Sequence, residues 1–197
     1  MNWRQLPLIP TIFVAAAVAT MIGLGIWQIS RAGEKQAMLA RYAAAQGQPE
    51  IAFPTMPSTG ELPLYRRASG LCLRVVGWNA TAGEDRSGEP GYSHFASCST
   101  GAEGPGMMVD AGWSKDPSAK SSWAGGKVSG VIGPDRKAKL RLVSSEGLGG
   151  LAASAPPSTA SIPNNHLFYA AQWFFFAAAA LVIYLLALRK RLKGEQG

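Results

Sequence analysis

The chain has 197 residues, 47% of them hydrophobic, and carries 19 Lys and Arg against 12 Asp and Glu, a formal net charge of +7. The excess divides into +3 over residues 30–163, +3 in the C-terminal tail and +1 from Arg4. A balance this diffuse, with no basic tract apart from the tail, argues against nucleic acid as a partner.

From Leu8 to Ile29 runs an apolar segment of 22 residues, about enough at 1.5 Å per residue to cross a hydrocarbon core of roughly 30 Å. A cleaved signal peptide is the alternative, since Arg4 precedes the run and Ala17-Val18-Ala19 resembles a cleavage site. Signal cores are usually about 7 to 15 residues, however, and cleavage there would leave Met21 to Ile29 as an apolar end. The working expectation is a retained transmembrane helix over 8–29 after a short N-terminus, 1–7. It continues as a polar helix over Arg31 to Gln46, rich in Ala, Gln, Lys and Glu, that stops at Gly47 with Pro49 beyond.

Phe53 to Pro63 carries Pro54, Pro57, Gly60 and Pro63 and reads as a loop. Beyond it, Leu71 to Trp78, Tyr92 to Ser99, Met107 to Trp113, Lys127 to Ile132 and Leu140 to Val143 are short β-like runs between Gly-rich turns. They predict a small antiparallel sheet or partly closed barrel over about 62–145. Glu146 to Ile162, rich in Gly, Ala, Ser and Pro, predicts a flexible lead-in.

A second apolar run, Leu167 to Leu188, has Gln172 as its one strongly polar residue and predicts a transmembrane helix over 164–188. Pro163 resists helix before it and Asn164 or Asn165 can cap it, which places His166 in the first turn, at the membrane interface. The fold class is therefore an α+β membrane protein, two transmembrane helices flanking a small β domain of 134 residues, 30–163. Arg189, Lys190, Arg191 and Lys193 follow the second span, whereas Ser145 to Asn165 holds no Lys or Arg, so both termini are expected in the cytoplasm and the β domain outside it. Arg31, Lys35 and Arg41 run against that rule for the first span.

Catalytic constellations are scarce. Only His94 and His166 are present, no C-x-x-C, G-x-S-x-G, H-E-x-x-H or phosphate loop occurs, and a non-enzymatic role is expected. His94 reads as a surface or satisfied histidine. For Cys72 and Cys98 two readings stand. A hairpin centred on Asp85 would place them opposite one another for a disulfide in an oxidising compartment, or they are two separate buried thiols.

The membrane mouths hold more chemistry. Helical spacing puts His166, Tyr169, Ala170 and Trp173 on one face of the second helix, and Trp27, Gln28, Arg31 and Lys35 on one face of the first. Ala16, Ala19, Gly23 and Ala177 to Ala180 would let the helices approach and bring these groups together. The plain reading makes the aromatics interfacial anchors and the cations contacts to lipid headgroups.

The segments Gly23-Leu24-Gly25-Ile26-Trp27-Gln28-Ile29-Ser30-Arg31 with Lys35, and Asn164-Asn165-His166-Leu167-Phe168-Tyr169-Ala170-Ala171-Gln172-Trp173-Phe174, resemble the two end signatures of the surfeit-locus-one (Shy-one) family. Tyr65-Arg66-Arg67 and Val109-Asp110-Ala111-Gly112-Trp113 resemble internal blocks, with Ala111 standing where the family usually has Arg. The resemblance implies a bacterial inner-membrane assembly factor for cytochrome c oxidase, acting on haem a for oxidase subunit I, with haem a synthase as a further partner. It also implies ligation of the haem iron by His166, with Arg31 or Lys35 pairing the propionates. A scaffold that docks on the same partners without holding haem is the alternative.

Overall fold

The computed structural model describes residues 7–55, 60–101 and 106–194; Arg4, with most of the N-terminal segment 1–7, and Pro57 lie outside the described residues. The chain divides into two compact units, one of Met1–Met38 with Pro163–Gly197 and one of Leu39–Ile162.

The first unit is built on α1 (Leu8–Gln46) as far as Met38 and on α2 (His166–Gly194). Both are long and apolar enough to cross a membrane, the class expected from the two apolar runs. α1 continues without interruption from its apolar half into the polar run. α2 begins at His166, where Asn165 offers its carbonyl to Tyr169 N at 3.2 Å as the first turn closes. The two helices are joined by side chains as well as by apolar surface. The hydroxyls of Thr11 and Tyr184 are hydrogen bonded, and Gly25 is buried beneath the ring of Phe174, so that a Cβ at position 25 would lie 2.7 Å from Phe174 Cε1 and Cζ. Close approach therefore occurs at Gly25 and not at Gly23, where a Cβ would meet nothing, and Ala16 and Ala19 are exposed while Ala177 is buried.

The second unit is a seven-stranded mixed sheet of β1 (Ile51–Ala52), β2 (Arg67–Cys72), β3 (Arg74–Glu84), β4 (Pro90–Ser99), β5 (Met107–Ser114), β6 (Gly126–Asp135) and β7 (Lys139–Ser144). The strand order is β1-β2-β6-β7-β5-β4-β3. Most pairs are antiparallel, as expected, but β1 with β2 and β5 with β7 are parallel. In the second parallel pair β7, antiparallel to β6 in a hairpin, fills the space between β5 and β6 and runs with β5.

The expected strand Leu71 to Trp78 is broken at Leu73. Its halves belong to β2 and β3, which sit toward opposite ends of the strand order although one residue separates them. That requires the sheet to curl. Leu73 N donates to Ser99 O at 2.9 Å and Val75 N to Ala124 O at 3.0 Å across the join. Cys72 and Cys98 are disulfide bonded there, with Cα atoms 5.2 Å apart. The route differs from the hairpin centred on Asp85, because β3 pairs Val75, not Cys72, with Cys98 and turns two residues later along the chain. The bond ties β2 to β4 across the curl.

The core is filled by Ala68, Val109, Val128, Ile132 and Leu142, with Phe53 from the expected loop packed among them. The segment expected as a flexible lead-in is instead fixed to the sheet. Leu148 N donates to Ala111 O at 2.8 Å, Ala152 exchanges both backbone bonds with Trp113, and Ala155 N donates to Glu84 O at 2.8 Å. These bonds are made by backbone groups, which Gly and Ala supply as well as any residue.

Candidate functional site

α1 and α2 present matching stripes. On α1, Gly25, Gln28, Ala32 and Lys35 are buried or half-buried at helical spacing, and on α2 so are His166, Ala170, Trp173 and Ala177. The polar members of the two stripes meet at one point, where His166 Nδ1 lies 2.7 Å from Gln28 Oε1.

The chemistry of that contact follows from the donor inventory. An amide oxygen can only accept, so Nδ1 carries the hydrogen and donates it. In the neutral imidazole the lone pair then resides on Nε2, the form that ligates metals. Histidine ligands are commonly held in this way, by a hydrogen bond from the other ring nitrogen that fixes tautomer and ring orientation and raises basicity. His166 is half-buried. Among the described residues no group of three or more His, Cys, Asp or Glu is placed to hold a metal ion, so what the site offers is a single imidazole nitrogen.

The other expected site residues lie around this pair and are not all gathered by it. Trp27 is 53% exposed and Tyr169 48% exposed. Arg31 is exposed and paired with Glu34 one turn away on α1. Lys35 and Trp173 are half-buried on the facing stripes. Trp27 and Arg31 follow Gln28 round the helix surface too far to point with it toward α2.

In the β domain, His94 is buried and satisfied. Ser114 Oγ donates to Asp116 O at 2.7 Å and so accepts from His94 Nε2 at 2.8 Å. A second buried group was not singled out from the sequence. Asp110 on β5 is 2% exposed, accepts from Ser154 Oγ at 2.7 Å, and has Arg141 Nε 4.0 Å from its other oxygen. Burial pushes its carboxyl up to about 6, against the opposing pull of Ser154 and Arg141. An acid inside an apolar strand was the available signal. Ala111 beside it is fully buried and offers its carbonyl to the returning segment, so the cation near Asp110 comes from β7 and not from position 111.

The fold defines a class: a chain with two helices able to cross a membrane and a β domain between them in sequence, whose polar site lies where the helices meet. The family profile described as the SURF1 family matches residues 15–178. The chain belongs to that family, surfeit locus 1. The family is one of assembly factors and is associated with cytochrome c oxidase. Comparison with curated proteins finds no match.

Proposed function

We propose that this chain assists assembly of cytochrome c oxidase by holding haem a at His166 for delivery to oxidase subunit I, with haem a synthase as the neighbouring source. The reading rests on one observation, the hydrogen bond from His166 to Gln28 that leaves Nε2 as a ready donor.

When bound, haem a supplies an iron that accepts an imidazole nitrogen, two propionates and a long apolar tail. His166 supplies the nitrogen and Gln28 keeps it in the ligating tautomer. Lys35, half-buried on the same stripe as Gln28 and two turns further along α1, would pair a carboxylate. Arg31 can do so by exchanging out of its exposed pair with Glu34, a contact of a kind usually worth about 0.2–1 kcal/mol. Tyr169, one turn along α2 from His166, and Trp27, next to Gln28 on the outer surface of α1, would supply aromatic surface near the imidazole, with Trp173 two turns along α2. One protein ligand suits transfer, because the recipient has a single bond to replace.

The site works on the outer side of a bacterial inner membrane, with both chain ends in the cytoplasm and the β domain in the periplasm. The basic run Arg189 to Lys193 after α2 supports that orientation, and the disulfide supports an oxidising compartment. The chain carries no catalytic step in this reading. It is tested by complementation in a cell that makes haem a and lacks the chain. Wild type is expected to restore a-type oxidase absorbance in membranes, while His166→Ala present at equal level restores little. Full restoration by the variant would favour a scaffold that holds no haem.

A further inference from the structure

β3 is an edge strand whose protection is confined to its ends, with a register shift at Val76 near its start. It runs 11 residues, and its charges, Arg74 and Glu84, stand only at its ends. Natural sheets commonly blunt such edges with lysines, prolines or covering segments, because a row of free N–H and C=O groups pairs with any available strand. Here the two ends are occupied: Val75 N donates to Ala124 O at 3.0 Å and Glu84 O accepts from Ala155 N at 2.8 Å. Between them, among the described residues, 76–83 make no backbone bond except within the β3–β4 pair. Val76 and Trp78 are 58% and 43% exposed, and Asn79, Thr81 and Ala82 are exposed as well, while Trp78 meets Trp123 edge-on at 6.5 Å; the stretch is open along its edge.

The open stretch borders a cleft of about 460 Å³, with Trp78 to Ala80 along one wall, Pro117 to Ser121 along the other, and His94 of β4, the partner of Ala80, also lining it. The far wall is held in shape. Asp116 accepts from Ser118 N at 2.8 Å and Ser118 Oγ at 2.6 Å, and Lys115 pairs with Glu89 at 2.6 Å. Among the described residues, Lys120 is the only Lys, Arg, Asp or Glu that lines the cleft, and it is exposed and makes no ion pair.

We propose that this cleft binds an extended polypeptide segment of a partner protein, added as a strand to β3 and bearing a carboxylate side chain toward Lys120. Three features select that occupant. Unpaired strand groups call for another backbone. The cation without an ion pair among the described residues calls for negative charge. The blocked ends admit a short flexible segment better than the long edge of a second copy, which would need the whole length of β3. Trp78 then packs over an apolar neighbour of the incoming carboxylate. The site is independent of the haem reading, since it uses no residue of the helices.

The test uses the full chain in detergent and a capped pentapeptide, acetyl-Val-Thr-Glu-Val-Thr-amide. A second peptide is N-methylated at every residue, and a third has Lys for Glu. The expected result is slowed hydrogen exchange at alternate amides of 76–83 with the first peptide and none with the N-methylated one. The Lys peptide should protect less on wild type and recover on Lys120→Glu. Absence of protection, equal protection by the N-methylated peptide, or indifference to both charge changes would overturn the proposal. So would protection of the same amides on raising protein concentration alone, which would assign the edge to a second copy.

Discussion

His166 donates its Nδ1 hydrogen to Gln28 Oε1 across 2.7 Å, joining the first residue of α2 to the buried stripe of α1. The bond fixes helix pairing and imidazole tautomer together. Gln28→Leu removes the acceptor and leaves Nδ1–H without a partner at a half-buried position, which costs about 1–3 kcal/mol. The expected outcome is a lower haem affinity with the band position little changed, because the ligand itself remains. Titration of purified variant and wild type with haem checks it, and equal affinities would remove Gln28 from the site.

Gly25 lies under Phe174 with no room for a methyl group. Because the far end of the partly exposed Phe174 ring is what must move, Gly25→Ala should destabilise the helix pair by about 1 kcal/mol, the low end of overpacking costs. Adding Phe174→Ala should recover part of that loss, because the clash is with the ring alone. Thermal unfolding in detergent of the two single variants and the double variant measures the coupling; simple additivity would contradict the contact.

Cys72 and Cys98 lie 26 residues apart in sequence and close the curl of the sheet. Replacing both by Ser should lower stability of the β domain by about 3.5 kcal/mol, the chain-entropy value for a loop of this length. Urea unfolding followed by tryptophan fluorescence tests this. Reductant should destabilise wild type toward the variant and leave the variant unchanged.

Asp110 makes stability depend on pH. Its folded value is about 6 against the ordinary 3.8, so between these limits the folded chain binds more protons than the unfolded one. Its contribution is therefore full below about pH 4 and is lost as pH rises through 6, a change of up to about 3 kcal/mol. Asp110→Asn lacks this slope. The difference in unfolding midpoint, wild type minus variant, should become more negative from pH 4.5 to 7.5; a constant difference would place the carboxyl in a less demanding setting.

Much of this structure is legible in the sequence where side-chain pattern decides it. The two apolar runs set both helices, Pro163 and Asn165 set the start of α2, and alternation located most strands. What escaped is decided by backbone geometry. Leu73 looks like any strand residue, yet the chain crosses there from one side of the curl to the other. The segment 146–162 has a linker's composition because its bonds to Ala111, Trp113 and Glu84 use only backbone groups. At the site, His166 and Gln28 stood out as polar residues at the ends of apolar helices. Which small residue takes the close contact, Gly25 and not Gly23, depends on how the helices cross, and that also turns Trp27 and Arg31 outward.

The most direct test of haem ligation by His166 is the absorption spectrum of the chain purified from cells that make haem a, recorded beside its His166→Ala variant. Ligation requires a Soret band in the wild type that is lost or clearly displaced in the variant. No band in the wild type, or the same band in both, would contradict it.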